Sequence, residues 1–483
     1  MKIYGELAIM IGLLTMCPAL VVLFHLEELP YVHCFLIPGG ASILLGVLVR
    51  YGAGSQKREG LLWKSNLRKG STPVLFVWCY AFLAGAMPFV LSGQMTFVLA
   101  LFESVSGWTT TGLTVADVEH LPNVLLFHRS FMQYCGGLGF VIMIAMVMQS
   151  RNAADLYSAE GHQDRLSPSL KGTSKLLSKI YLVWLVIGSA AYCVLGMTPL
   201  EGICHTMSAL STAGFSTRSG SIGAFCSVPV DIVTIILMLI GASNFAVLKM
   251  FMKFEFKSAV RDSEFRFMVG LAVLTSLMAA ADLMRSGGMR AGSALLHSVF
   301  GVVTTFSTTG YGLEEYSVWP AFSLGIVLLL MIVGGCAGST AGGIKMNRAY
   351  LLIRNMFAYI SDSVKSPREV KRAEYQKNRY SLVINNNLAS NVSGFVFLYI
   401  AVLAVGILAL TIAADCTLSD AAFEFTSALG TVGLSCGVTS ADASNATLFI
   451  EMIAMIMGRL EILVVFVGLY SVAKKLKERG YKR

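Results

Sequence analysis

Four short stretches of one pattern recur along this chain: TTTGLT (Thr109 to Thr114), STAGFS (Ser211 to Ser216), STTGYG (Ser307 to Gly312) and GTVGLS (Gly430 to Ser435). Each places a Thr two residues before a Gly: Thr110/Gly112, Thr212/Gly214, Thr308/Gly310 and Thr431/Gly433. The glycines stand 102, 96 and 123 residues apart (112 to 214, 214 to 310, 310 to 433). Thr-x-Gly is common in loops, and one copy would mean little. Four copies at similar spacing, each after a segment the length of a half-membrane helix and before a long apolar run, read as internal repeats. Four such loops can close a ring, and a ring of backbone carbonyls can replace the hydration shell of a monovalent cation.

The surroundings of the loops are those of a membrane protein. Hydrophobic residues make up 55% of the chain and charged ones 13%, with a mean hydropathy of +0.69, where a soluble domain carries about a quarter charged residues. The apolar residues fall in long runs, such as Val228 to Val247 and Ala321 to Val333, and about 20 apolar residues span a bilayer as a helix. The first run, Leu7 to Phe24, carries no small-residue cleavage site and reads as a retained helix.

The net charge of +9 is distributed against nucleic-acid binding. Basic residues gather after Val49 (Arg50, Lys57, Arg58, Lys64, Arg68, Lys69), around Arg151 to Lys179, from Lys249 to Arg266, from Lys345 to Arg379 and from Lys474 to Arg483. The alternate segments, His25 to Pro30 and Asp415 to Asp442, are neutral or acidic. This positive-inside pattern places the five basic segments and both termini in the cytoplasm. The ten cysteines show no CxxC pair, and those at Cys17, Cys79 and Cys193 read as packing. Cys416 and Cys436 both fall on the outer side, where a disulfide is possible.

The fold class expected is all-α integral membrane: ten transmembrane helices, four membrane–pore–membrane repeats around a central pore, and re-entrant pore helices. A preface, residues 1–72, holds two spans, about Glu6 to His25 and Tyr31 to Arg50. The repeats cover residues 73–150, 177–252, 265–359 (with a broken second helix) and 388–476, and 477–483 form a cytoplasmic tail. A segment such as Met95 to Trp108 is too short to cross and fits a helix that dips in and returns. Non-helical backbone at membrane depth is tolerated only when buried in protein or lining water. A helix entering from outside turns its C-terminal, partly negative end toward the centre, which favours a cation. The candidate ion-binding residues are Thr110, Thr111, Gly112, Thr212, Ala213, Gly214, Thr308, Thr309, Gly310, Thr431, Val432 and Gly433. Gly supplies the backbone angles that inward-aimed carbonyls demand, and the Thr hydroxyls add an oxygen ring at the inner mouth. An all-oxygen site without carboxylates suits a weakly hydrated monovalent ion.

On these loops the whole chain resembles the TrkH/Ktr/HKT superfamily of potassium uptake proteins, and its ten-span layout with a two-helix preface looks most like the TrkH branch. The resemblance implies four repeats from one polypeptide, each giving one filter strand. It places the filter glycines at Gly112, Gly214, Gly310 and Gly433, and with Gly at all four it implies potassium preference. The position before each Thr varies (Thr109, Ser211, Ser307, Gly430), so the ring is uneven. The resemblance further implies a bacterial inner-membrane homodimer served by a cytoplasmic nucleotide-binding regulatory subunit of Trk type. Residues Lys365 to Arg379 offer a docking surface for that subunit or for anionic lipid.

Two features break the pattern of plain spans. GGCAGSTAGGIK (Gly334 to Lys345) holds five Gly within ten residues (Gly334, Gly335, Gly338, Gly342, Gly343), which will not keep a straight helix because each Gly costs roughly 1 kcal/mol against Ala. The resemblance makes this stretch, with Ser339 and Thr340, an intramembrane gate; the plain alternative is a close small-residue helix contact. Lys345 closes the stretch and is expected at the cytoplasmic surface. Arg459 lies inside the apolar run Ile450 to Val472, and an intramembrane Arg is costly and faces a cavity or partner. The family has an Arg here, under the filter, which implies an electrostatic barrier that helps hold the gate shut. Glu103 and Glu424 both stand nine residues before a filter Gly, where the other repeats have His205 and Gly301. Helix capping is the expected role, with cation attraction at the outer mouth as the alternative. No GxxxxGK[ST] phosphate loop occurs, so the chain reads as a non-enzyme without cofactor, carrying potassium as substrate. A proton- or sodium-coupled symporter and a pore-less receptor or scaffold remain as other readings.

Overall fold

A computed structural model describes residues 2–52, 66–139, 170–314, 316–364, 374–377 and 380–480. The end of the first repeat, much of the basic segments before it, after it and at Lys365 to Arg379, and the last three residues lie outside them. The described chain is mostly helical. The preface is a hairpin of α1 (Lys2–Met16), continued by a 3-10 turn over Cys17–Leu23, and α2 (Val32–Gly52). Glycines let its two helices approach closely: a β-carbon on Gly5 would meet the Gly46 carbonyl, and one on Gly12 the Gly39 carbonyl.

Each quarter then follows one plan, a long helix, a short helix and an apolar helix. In the first these are α3 (Asn66–Leu91), α4 (Phe97–Trp108) and α5 (Asn123–Leu138). In the second they are α6 (Leu170–Val194), α7 (Pro199–Leu210) and α8 (Val228–Ala242), the last turning into α9 (Phe245–Met252). After a short α10 (Phe256–Arg261), the third has α11 (Ser263–Arg285), α12 (Ala291–Phe306), α13 (Ala321–Val333) and α14 (Met346–Val364). The fourth has α15 (Asn386–Ala414), α16 (Leu418–Gly430), α17 (Asn445–Arg459) and α18 (Ile462–Gly480). The preface helices pack on α3, and Glu28 accepts from the Asn123 and Val124 N–H groups at 2.6 and 2.8 Å, satisfying the start of α5.

Six described helices are long and apolar enough to cross a membrane, or eight if two bent pairs each count as one span. The sequence suggests ten. Two of the expected spans account for the difference. The second span expected in the first repeat is described only as far as Gly139, and the rest of it lies outside the described residues. That of the third is split: α13 has only 13 residues and stops at Gly334, where the Gly-rich stretch begins.

The two bent pairs correct the sequence picture. The run Val228 to Val247 is not one straight span; it turns by 115° between α8 and α9, where Asn244 caps Ala246 N–H at 2.8 Å and donates to the Ala337 carbonyl at 2.6 Å. Likewise α17 and α18 meet at 103°, so Arg459 sits at a helix break and not within a continuous span. Glu461, in the left-handed region at φ 58°, forms the corner and accepts from Arg348 at 2.9 and 3.0 Å. The all-α expectation also misses a small antiparallel hairpin, β1 (Glu374–Lys377) with β2 (Tyr380–Val383), paired from Glu374↔Val383 to Lys377↔Tyr380. Tyr375 anchors it by packing with Leu351 and Val392. Cys416 and Cys436 are both free thiols.

Candidate functional site: four loops and the segment beneath them

The short helices α4, α7, α12 and α16 end the same way. The sixth-residue bonds Thr111 N–H to Ser106 O (3.0 Å), Ala213 to Ser208 (2.9 Å), Thr309 to Thr304 (2.9 Å) and Val432 to Ser427 (2.8 Å) recur in register. So do the inner bonds Thr110 to Gly107, Thr212 to Ala209, Thr308 to Thr305 and Thr431 to Ala428. This is the Schellman ending, whose left-handed residue is usually Gly. Here it is Thr each time, with φ of 56°, 52°, 57° and 52° at Thr110, Thr212, Thr308 and Thr431. A β-branched residue in that region is a true outlier, and strain of this kind costs about 1–3 kcal/mol and gathers at functional sites. The unusual backbone is therefore not confined to the glycines, to which the sequence pattern assigns it. They share it, with φ of 95°, 76°, 77° and 90° at Gly112, Gly214, Gly310 and Gly433.

The four loops meet in cyclic order. A β-carbon on Gly112 would strike the Ala213 carbonyl oxygen, one on Gly214 that of Thr309, one on Gly310 that of Val432, and one on Gly433 that of Thr111. All twelve candidate ion-binding residues are thereby brought to one place, and Thr110, Thr111, Thr212, Ala213, Thr308, Thr309, Thr431 and Val432 are fully buried. Each helix turns its C-terminal end toward this centre, so four partly negative termini converge on it.

Glu103 and Glu424 are not caps and do not face the outer mouth. Both lie mid-helix and are 0% exposed. Each braces the strand after its loop: Glu103 accepts from Thr114 Oγ1 at 3.0 and 3.1 Å and from Val115 N–H at 3.2 Å. Glu424 accepts from Ser435 Oγ at 2.7 Å, Cys436 N–H at 3.0 Å and Thr439 N–H at 3.1 Å. His205 reaches Ser216 Oγ at 3.0 Å in the same relation. In the third repeat Gly301 leaves room that the Trp319 ring fills. Arg129 then pairs with Glu103 (Nε to Oε1, 2.6 Å), with both side chains buried. It also donates to the Ser216 carbonyl at 3.0 Å and lies 4.1 Å over the Phe215 ring. Sequence reasoning passed over Arg129 and its neighbour Gln133; their polarity inside an apolar segment was the available signal. On the loop surface, Ser219 donates from N–H and Oγ to Glu119 at 3.0 and 2.9 Å, which holds that exposed carboxyl below the usual range.

The stretch Gly334 to Lys345 lies directly against the Thr residues of the loops. Gly342 N–H donates to Thr308 Oγ1 at 2.9 Å. Thr340 Oγ1 lies 3.0 Å from Thr212 Oγ1 and donates to the Leu210 and Gly241 carbonyls at 3.2 and 3.0 Å. A β-carbon on Gly342 would collide with Thr431 Oγ1, so Gly is required there for close approach. Glycines at 334, 338 and 343 have φ of 70°, 70° and 74°, and Gly335 and Ser339 complete the turn. Lys345 does not reach outward as expected: its ammonium folds back onto the Ala341 carbonyl. Arg459 crosses beneath. It donates from Nη1 to the Thr340 carbonyl at 2.8 Å and from Nη2 to the Gly136 carbonyl and, at 3.3 Å, to that of Gly137.

The apolar helices define a multi-pass membrane protein, and its four Thr-x-Gly loops meet in one buried cluster. The TrkH family profile, described as a cation transport protein, matches residues 49–473, and the chain belongs to that family. It is 28% identical over 96% of its length to the Trk system potassium uptake protein TrkH of Vibrio parahaemolyticus, of which 97% is covered. It is 32% identical to Trk system potassium uptake protein TrkI of Halomonas elongata over 79% of each chain. The crystal structure of the potassium transporter TrkH from Vibrio parahaemolyticus superposes with a TM-score of 0.82 at 27% identity, covering 96% of this chain and 97% of that one.

Proposed function

We propose that the chain carries potassium across the bacterial inner membrane by a channel-like route. The four loops form the selectivity filter and the stretch Gly334 to Lys345 forms the gate. The observation that carries this reading is the cyclic contact of four loops whose Thr and Gly residues all lie at positive φ. Such a ring exchanges water oxygens for carbonyl oxygens around a dehydrated monovalent ion, and converging helix C-termini add favourable potential. Beneath it, the Gly-rich stretch blocks the axis and Arg459 adds a positive charge that a cation must pass. The full architecture is then ten spans in four membrane–pore–membrane repeats, with both termini cytoplasmic as the basic segments require. The relatives are named as parts of a Trk system, which supports a separate regulatory subunit, and we assign the assembly as a homodimer.

Rubidium-86 uptake into proteoliposomes tests the reading. Flux that follows the membrane potential and ignores pH and sodium gradients is expected. Flux that collapses without a proton or sodium gradient would replace this reading with a symporter, and no flux under any imposed gradient would leave a scaffold.

A further inference from the structure

The four filter loops share their backbone but not their support. Helix α5 lays one face along the second loop, with Arg129, Gln133, Gly136 and Gly137 in a row. Gly137 abuts Ser211, and Arg129 bonds the Ser216 carbonyl. Gln133, 0% exposed, lies between them. Its Nε2 donates to the Ala213 carbonyl at 2.8 Å, and its Oε1 accepts from Phe215 N–H at 3.1 Å. The amide orientation is unambiguous, because a backbone N–H only donates and a carbonyl only accepts. The side chain thus straddles Gly214, bonding the residue on either side of it.

Ala213 is the second-repeat member of the set Thr111, Ala213, Thr309 and Val432, whose carbonyls lie against the neighbouring glycines. Among the described residues, no side chain donates to the other three carbonyls, and that of Ala213 alone is tethered. We propose that Gln133 is a specificity-determining positioning residue: it fixes the Ala213 peptide so that the second loop cannot draw inward around a smaller ion. Sodium needs its oxygen ligands closer than potassium does. A carbonyl anchored from behind resists that approach, and an untethered one yields to it. The inference rests on the four-loop filter proposed above.

The test uses the full chain in proteoliposomes, with rubidium-86 uptake competed by potassium and by sodium. The ratio of half-inhibiting sodium to potassium concentrations is the readout. Gln133→Met keeps the length and loses both bonds; Gln133→Asn is polar but one methylene short. Each is expected to lower the ratio roughly three- to tenfold, the range that one neutral hydrogen bond commands, with a melting temperature near that of the unmodified chain. Where the Met variant fails to fold, the Asn variant decides. A ratio that stays at the starting value, whatever happens to rate or stability, overturns the inference and leaves Gln133 a packing residue. Gly112→Ser is run beside them, since its side chain must displace the Ala213 oxygen. If that substitution shifts the ratio and the Gln133 variants do not, only this inference fails; if it too is silent, the filter reading itself fails.

Discussion

Arg459 gives the sharpest test of the proposed gate because its bonds fall on two different parts of the molecule. Nη1 donates to Thr340, within the Gly-rich stretch, while Nη2 holds the last carbonyls of α5 at Gly136 and Gly137. If the stretch moves aside, as the gate proposal requires, the bond to Thr340 must break and those to α5 need not. A hydrogen bond from a charged donor is worth about 1.5–3 kcal/mol. Its loss therefore shifts the closed–open equilibrium on the order of ten- to a hundredfold. Arg459→Met keeps the apolar stem and removes both the fork and the charge. Rubidium-86 uptake, normalised to folded protein, is expected to rise by about tenfold or more. Arg459→Lys separates the two contributions, since it keeps the charge but cannot span Thr340 and Gly136 together. High flux in the Lys variant assigns the effect to the latch; flux near the starting level assigns it to the charge. Unchanged or reduced flux in a Met variant that melts like the parent chain refutes the reasoning.

Breaking one partner of a buried ion pair costs about 3–5 kcal/mol, so Glu103→Gln should sharply lower the yield of folded protein, and adding Arg129→Gln should recover part of it; a single variant melting like the parent rejects the bracing role. A β-carbon on Gly406 would run into the Phe425 ring, so Gly406→Ala should destabilise by about 1–3 kcal/mol, and Phe425→Leu should relieve it in a thermal melt. Glu451, 0% exposed, has both carboxyl oxygens 3.1 Å from the Thr439 hydroxyl that also serves buried Glu424. Glu451→Gln offers that hydroxyl an N–H donor without a second carboxylate. It should melt at or above the parent temperature, by up to about 1 kcal/mol, and a clear loss of stability would count against the shared-hydroxyl picture.

Much of this was legible in the sequence because it is written in local patterns. The Thr-x-Gly quartet announced its own repeat, and the glycine run of 334–343 announced a break. What stayed hidden depends on contacts between distant segments. The turn at Ser243 and Asn244 interrupts an apolar run that only Gly241 and two small polar residues mark, and it is held by Asn244 reaching Ala337, 93 residues away. The corner after Arg459 is likewise held from outside, by Arg348 on α14. Glu103 and Glu424 read from the sequence as caps because the starts of their short helices are not marked there; both lie mid-helix, and the loop that returns over the helix supplies their donors. The left-handed Thr residues ran against propensity, since only the packed ring makes that backbone worth adopting.

That ring also explains why a repeated motif need not give a symmetric site. The loop backbone is set by helix endings and by neighbour-to-neighbour contact, so any sequence that satisfies both repeats it faithfully in all four quarters. The layer behind it answers to no such closure condition, and each quarter fills it differently: an Arg–Glu pair in the first, His205 with Ser216 in the second, Trp319 over Gly301 in the third, a carboxylate with Ser, Cys and Thr donors in the fourth. These supports differ in charge and in the bonds they make, and in the proposed filter the firmness of each would set how far its carbonyl can follow a smaller ion. Differences in ion preference among chains with the same four glycines should therefore trace to substitutions in this second layer, with the tether from Gln133 to Ala213 as the first place to look.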